Sequence, residues 1–261
     1  MKKYLALSLI GFKERISFRA HFICSLFSNL IYIILIFFLW KAIFISSLND
    51  MINGMTFKET FLYLSIANSM NILMEAWVEW DLSRDIINGK ISFFLAQPID
   101  FQCNIMFRSL GTVISNFLVV FLPSFIIFMF ISDSSIMSIS IFFVSLILGI
   151  IIRFAIDFIT GIIAFYTENI WGVSITKNAI IAILSGALVP IPYYPEFLQP
   201  VIKSLPFYAI YHLPISMLLN SSDLSECLKK IMIQLIWVLV LLIFGKLFYN
   251  KSVKTITVNG G

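Results

Sequence analysis

Long, nearly unbroken apolar runs alternate along this chain with short polar intervals. The runs are Ile23 to Ile45, Thr60 to Trp77, Arg108 to Phe130, Ile139 to Tyr166, Ser174 to Val189 and Ile231 to Tyr249. At about 1.5 Å of rise per residue, most of them are long enough as helices to cross a hydrocarbon core of roughly 30 Å. A membrane β-barrel needs strands of about ten residues with alternating polarity, and that alternation is missing. The pattern predicts an all-α polytopic membrane protein with six transmembrane helices, organised as a single transmembrane domain over 1–261. Ahead of the first run, Leu5, Leu9, Phe12, Ile16 and Ala20 recur at helical spacing, with Lys13, Arg15 and Arg19 mostly off that stripe. This predicts an N-terminal interfacial helix over 1–22, lying on the cytoplasmic face. Its start resembles a signal peptide, but charged residues follow and no small-residue cleavage site appears, so it is expected to be retained.

The fifth run is short and then loses its regularity. Six of the eight prolines, Pro190, Pro192, Pro195, Pro200, Pro206 and Pro214, fall in a mostly apolar stretch. An interior proline costs a helix about 3 kcal/mol, and an aqueous loop would be more polar. The segment 190–228 is therefore expected to form broken, re-entrant outer helices before the last span, with Tyr193, Tyr194, Phe207, Tyr208 and Tyr211 in an aromatic belt. Pro123 predicts a kink in the third span.

Composition narrows the class. The chain is 60% hydrophobic and 12% charged, with 27 Phe, which no soluble domain needs. The formal net charge of +4 comes from Lys and Arg in loops and tails, and it bears on orientation and anionic lipid. No basic patch interleaved with aromatics points to nucleic acid. The positive-inside rule selects a multi-pass protein of the cell membrane with both termini cytoplasmic, although Lys229 and Lys230 run against it. Cys24, Cys103 and Cys227 fall on different predicted sides of the membrane and imply no disulfide framework.

Polar groups inside the runs are the candidates for function. Ser65, Asn68, Ser69, Asn71 and Glu75 give the second span a face suited to other helices. Arg153 and Asp157 sit one turn apart in the fourth, where an ionised side chain at mid-bilayer costs about 2.5–3.5 kcal/mol on insertion scales. One reading is structural, with Arg153 snorkelling to the cytoplasmic interface. The other pairs Arg153 with Asp157, or with Glu75 or Glu79, along a translocation path.

The densest polar interval is Glu79 to Phe107. Asp81, Arg84, Asp85 and Lys90 lie on a predicted short helix that Asn88-Gly89 can stop, and a second short helix, Ile91 to Ala96, ends at Pro98. The wording Arg84-Asp85-Ile86-Ile87-Asn88-Gly89-Lys90-Ile91, followed by Phe94-Leu95-Ala96-Gln97-Pro98-Ile99, resembles the first cytoplasmic loop of ATP-binding-cassette (ABC) type 2 permeases. Leu184-Ser185-Gly186-Ala187-Leu188-Val189-Pro190 and Leu205-Pro206-Phe207-Tyr208 resemble the family's pattern before its last span. The tail Thr255 to Gly261 resembles a branch linked with drug and bacteriocin export or immunity. The resemblance implies a permease subunit of an ATP-driven exporter that forms half of the translocation pathway. It also implies a cytoplasmic coupling helix within 79–107 that fits a cleft on a separate ABC ATPase. On that likeness Arg84, Asp85 and Lys90 are polar contacts and Ile86, Ile87 and Leu95 apolar ones. A second permease, identical or sister, completes the pathway within membrane lipid.

Other chemistries lack their residues. Gly89-Lys90 and Gly245-Lys246 miss the remaining parts of a phosphate-binding loop, so ATP and Mg are expected in the partner subunit and no cofactor in this chain. Only His21 and His212 are present, on opposite predicted faces, and they offer no metal site. An intramembrane serine protease with Ser185 as nucleophile and His212 as base is one alternative, without an evident activating group. An ion-coupled secondary transporter is another, though the halves do not repeat and the acids cluster near the cytoplasmic ends. The cargo, whether drug, peptide or lipid, is not encoded in the runs.

Overall fold

The structure, a computed structural model, describes residues 2–47, 49–95, 99–132, 134–167, 169–219 and 223–255. Helix α1 (Lys2–Ser17) precedes α2 (Arg19–Ser47), and a two-residue hairpin, β1 (Met51–Ile52) and β2 (Met55–Thr56), leads into α3 (Phe57–Met74). The hairpin turns on Asn53 and Gly54 with φ of 48° and 80°, the left-handed pair that a tight two-residue turn requires. Sequence reading gives this stretch only as a short loop. Then come α4 (Val78–Ile87), α5 (Ile91–Leu95) and α6 (Phe101–Asn116), which passes through a π turn (Phe117–Phe121) into α7 (Leu122–Ile131). Helix α8 (Ile136–Ile162) is followed by α9 (Trp171–Leu184), α10 (Gln199–Lys203), α11 (His212–Leu219) and α12 (Leu224–Ser252).

Among the described residues, four helical stretches are long and apolar enough to cross a membrane: Phe22–Ser47, Phe101–Ile131, Ile136–Phe165 and Leu224–Ser252. The protein is an all-α membrane protein apart from the small hairpin. Helix α3, with 18 residues, and α9, with 14, are shorter or more polar. The expected third span begins earlier than Arg108, because Asp100 accepts the Cys103 N–H and caps α6 at Phe101. The turn at Phe117–Phe121 precedes Pro123, which has no N–H to donate, and the Leu122 N–H reaches back to the Phe117 carbonyl.

Helix α3 is the centre of the fold. Leu62, Leu64, Ile66, Met70 and Leu73 are buried on different sides of it, and so are Ser65 and Ser69, so it is surrounded by protein and needs less apolar character than a lipid-facing span. A capping box starts it, with Glu59 accepting the Thr56 N–H at 2.8 Å. Asn116 Nδ2 closes the other end by donating to the carbonyls of Ile72 and Glu75 at 3.0 and 3.2 Å. In between, Asn68 donates to Asn29 of α2 at 2.7 Å, Asn29 donates to Ser124 of α7 at 2.9 Å, and the Tyr211 hydroxyl donates to Asn71 at 2.9 Å. The polar face read from the sequence does meet other helices.

The proline-rich segment forms short broken helices, as its composition demands, but its aromatics are not all a belt. Tyr208 and Tyr211 are buried, the Tyr193 hydroxyl pairs with Thr60 at 2.7 Å, and the Tyr193 ring lies 4.9 Å from Trp40. Packing of the irregular backbone against α3 and α2 claims these side chains. Gln234 of α12, fully buried, accepts from Ser145 of α8 and donates to the carbonyls of Ser145 and Ala209.

Helix α1 corrects the expected helix over 1–22. It ends at Ser17, and Ala20 belongs to α2. Its apolar stripe points away from the protein, with Leu5 62% and Leu9 58% exposed. The inner face is made of small and polar groups. Ser8 Oγ donates to the Phe107 carbonyl at 2.7 Å, Glu14 pairs with Arg108 at 3.2 Å, and Gly11 crosses α6 at Gly111. A Cβ on Gly11 would collide with the Arg108 carbonyl, and one on Gly111 with the Ser8 carbonyl, so only glycine permits this backbone approach. Replacing Gly111 by Leu is expected to lower the stability of the detergent-solubilised protein by about 1–3 kcal/mol, read as a fall in unfolding temperature. Leu9→Ala, on the outward face, should leave it unchanged.

Candidate functional site

The chain leaves α3 through Trp77, a non-glycine residue at φ 54°, and this left-handed step aims α4 across the ends of its neighbours. Val78 and Leu82 bury one face of α4 in a small apolar cluster with Ile91, Phe101, Ile105, Phe154, Phe158 and Tyr249. Gly161 of α8 makes the seat, since a Cβ there would meet the Leu82 side chain at 2.8 Å. The opposite face is open. Arg84 and Lys90 are exposed, Ile87 is 51% exposed, and Trp80, Ser83, Arg84, Ile87 and Asn88 line a groove of about 240 Å³ with Asn169 and Ile170. Gly89 at φ 69° ends the helix and lets Lys90 N–H reach the Asp85 carbonyl at 2.9 Å.

The sequence-predicted contacts divide between the two faces. Arg84, Ile87 and Lys90 point outward, Asp85 is half-buried, and Ile86 packs against the apolar cluster. The Leu95 side chain and residues Ala96 to Pro98 lie outside the described residues. Arg84 pairs with Asp81 at the surface, a contact that contributes little to stability. Burial pushes the Asp81 carboxyl up, against the pull of Arg84 and Arg108. Asp100, beneath the loop, is held low: burial raises it, but Lys246 at 2.8 Å and the Cys103 N–H outweigh that.

The first turn of α4 carries the deepest polar feature. Glu79, buried, accepts from Lys177 Nζ at 2.7 Å and from Ser174 Oγ at 3.1 Å, both on α9. Lys177 also donates to Asp157 of α8. Arg153 Nε holds the two oxygens of Asp157 at 3.2 and 3.1 Å, and its Nη2 donates to Asn178 Oδ1 at 2.9 Å. One chain of ionic contacts thus joins α4, α9 and α8. Beside it lies a cavity of about 380 Å³, bounded by α2, α3, α8 and α9, into which Glu75, Arg153, Asn71 and Tyr211 contribute.

Among known families, the ABC-2 family transporter protein matches residues 30–260. The chain belongs to the ABC-2 transporter family. It is a permease component of an ABC transporter, in a family whose membrane subunit is typically non-catalytic and whose general partner is an ABC ATPase. No curated protein matches the chain.

In this permease the Arg153 guanidinium is answered within the protein, by Asp157 and Asn178. Sequence reading offers Asp157, Glu75 or Glu79 as partners of Arg153, and the structure pairs it with Asp157. Lys177, which lies inside the fifth apolar run, links Asp157 to Glu79. A signal existed: Ser174 and Lys177, three residues apart on an apolar helix, share one side, and such a helix buries a lysine only against acid. Glu75, by contrast, has no hydrogen bond or ion pair through its carboxylate among the described residues. Ser185 and His212 make no catalytic pair: the Ser185 hydroxyl accepts from the Ala187 N–H at 3.3 Å, and His212 Nδ1 meets the Tyr63 hydroxyl at 3.0 Å.

Replacing Lys177 by Met leaves Glu79 without a counter-ion and is expected to cost about 3–5 kcal/mol in unfolding measurements. The double change Glu79→Gln with Lys177→Met removes the stranded charge and should recover most of that loss.

Proposed function

We propose that this permease is one half of the pathway of an ATP-driven exporter of the cell membrane, crossing six times with both termini in the cytoplasm. In this reading the crossings are α2, α3, α6 with α7, α8, α9 and α12, and the proline-rich helices fold back at the outer face. The positive-inside distribution supports the orientation. The α4–α5 loop is the coupling element, meeting a separate ATPase through Arg84, Asp85, Lys90 and Ile87. ATP and Mg act in that partner. A second permease, identical or sister, faces this one across the pathway, because one chain encloses too little surface for a pathway alone. Drug, peptide and lipid are all within the reach of such a pathway, and the likeness of the tail to drug and bacteriocin permeases points the same way.

The observation that carries this reading is the seating of α4. Its inner face is packed and ion-paired, while its outer face is free. A push on the outer face therefore reaches α9 and α8 through Glu79, Lys177 and Asp157, instead of dissipating in a loose loop. Transmission needs a rigid element with bonds at both ends, and α4 has them on the inner side.

The test is to co-express the tagged chain with the candidate cassette ATPases of the same genome and to measure capture and ATP hydrolysis. Ile87→Asp with Arg84→Glu is expected to reduce capture by about tenfold or more, as loss of an interface centre does. A charge reversal of Lys13 on α1 serves as the control. Undiminished capture by the double variant would remove α4 as the contact.

A further inference from the structure

Among the described residues, the cavity beside the buried charges has one lining carboxylate, that of Glu75, with no hydrogen bond or ion pair of its own. Arg153 and Lys177 balance Asp157 and Glu79, two cations against two anions, linked in the order Arg153, Asp157, Lys177, Glu79. Glu75 is left over, at the end of α3, lining the same cavity of about 380 Å³. The cations that act on it are Arg15 and Arg153. Both do so through space, without an ion pair to Glu75 among the described residues, and Arg15, on α1, is not part of the cavity lining.

The rest of the lining suits one kind of guest. Ile181, Ala182 and Leu188 make an apolar wall, Tyr32 and Tyr211 bring aromatic side chains, and Asn71 adds a polar one. The volume falls within the range of small-molecule pockets, about 300–1,000 Å³. A guest carrying negative charge would have to take Arg153 from Asp157 and Asn178, which already hold it. A guest carrying positive charge needs no displacement: its cation meets the Glu75 carboxylate, in a lining that also holds Tyr32 and Tyr211.

We propose that this cavity is a binding site for an amphiphile with an apolar body and one cationic nitrogen, and that Glu75 is the group that selects the charge. The inference rests on the exporter reading, whose cargo it narrows to that class. Glu75 then has a role apart from the ionic chain: it takes part in recognition, whereas Glu79, Lys177 and Asp157 hold helices together.

The experiment is equilibrium dialysis of the purified permease in nanodiscs of neutral lipid, with empty nanodiscs subtracted. The probes are ethidium, the uncharged 6-phenylphenanthridine that shares its frame, and the anionic anilinonaphthalene sulfonate. Ethidium is expected to bind the wild-type protein at least about tenfold more tightly than either of the others, the scale of one charge-assisted contact. Glu75→Gln should erase the preference, Glu75→Asp should keep part of it, and Ala182→Trp, which fills the cavity, should abolish ethidium binding. Equal affinity of the wild type for ethidium and its neutral frame would overturn the proposal, even if the Gln variant failed to assemble. So would an unchanged preference in Glu75→Gln or unchanged ethidium binding in Ala182→Trp. ATPase capture, measured on the same preparations, separates the two claims: a chain that selects ethidium but captures no ATPase keeps this site and loses the exporter reading, and the reverse outcome does the opposite.

Discussion

A lysine buried in a membrane protein must be held by acids or give up its proton, and this architecture is arranged around the first solution. Lys177 reaches Glu79 and Asp157 at once, and those two acids belong to different helices. The desolvation of three charges is offset only when all three are in place together. The ends of α4, α8 and α9 are therefore fixed relative to one another by a condition that tolerates little slack. The small apolar cluster under α4 adds area to that contact, but area alone would let the helix slide; the ions specify the register.

The same logic explains why the most central helix is not the most apolar. Helix α3 carries Asn68, Asn71, Ser65 and Ser69 because its neighbours are protein on nearly every side, and amides reaching across to Asn29 and from Tyr211 define how those neighbours sit. The helices that qualify as spans by hydropathy are the ones whose outer faces need lipid. In this fold apolarity reports exposure to the bilayer, and burial within the bundle goes with hydrogen bonding.

That distinction sets what could be read in advance. Runs such as Ile139 to Tyr166 gave their helices to within a few residues at each end, because continuous apolarity over such a length has one structural solution. The broken outer segment was legible from prolines, since no regular element accommodates so many. The boundary at Asp100 was missed because the capping signal lay inside a stretch assigned to a loop by its charges. The apolar stripe of α1 was legible, but the small inner face at Gly11 that packs on Gly111 was not, since glycine spacing alone does not name its partner. Lys177 escaped because spacing along one helix does not disclose an acid on another, and the link to Glu79 spans 98 positions of chain. The hairpin at Asn53-Gly54 had a strong local signal that the surrounding neutral loop obscured.

The widened turn in the long helix ahead of α8 has a consequence for comparison between chains. A turn closed by the bond from Leu122 to Phe117 holds one residue more than an ordinary one, so everything in α7 is rotated by about 100° relative to an uninterrupted helix. Ser124 accepts from Asn29 in that rotated phase. Any relative that lacks the proline at this point is free to drop the extra residue, and its span would then align with this one only by a single-residue gap within the bilayer. Gaps are ordinarily placed in loops, so here a correct alignment must break the habit or mispair every residue from Leu122 to Ile131.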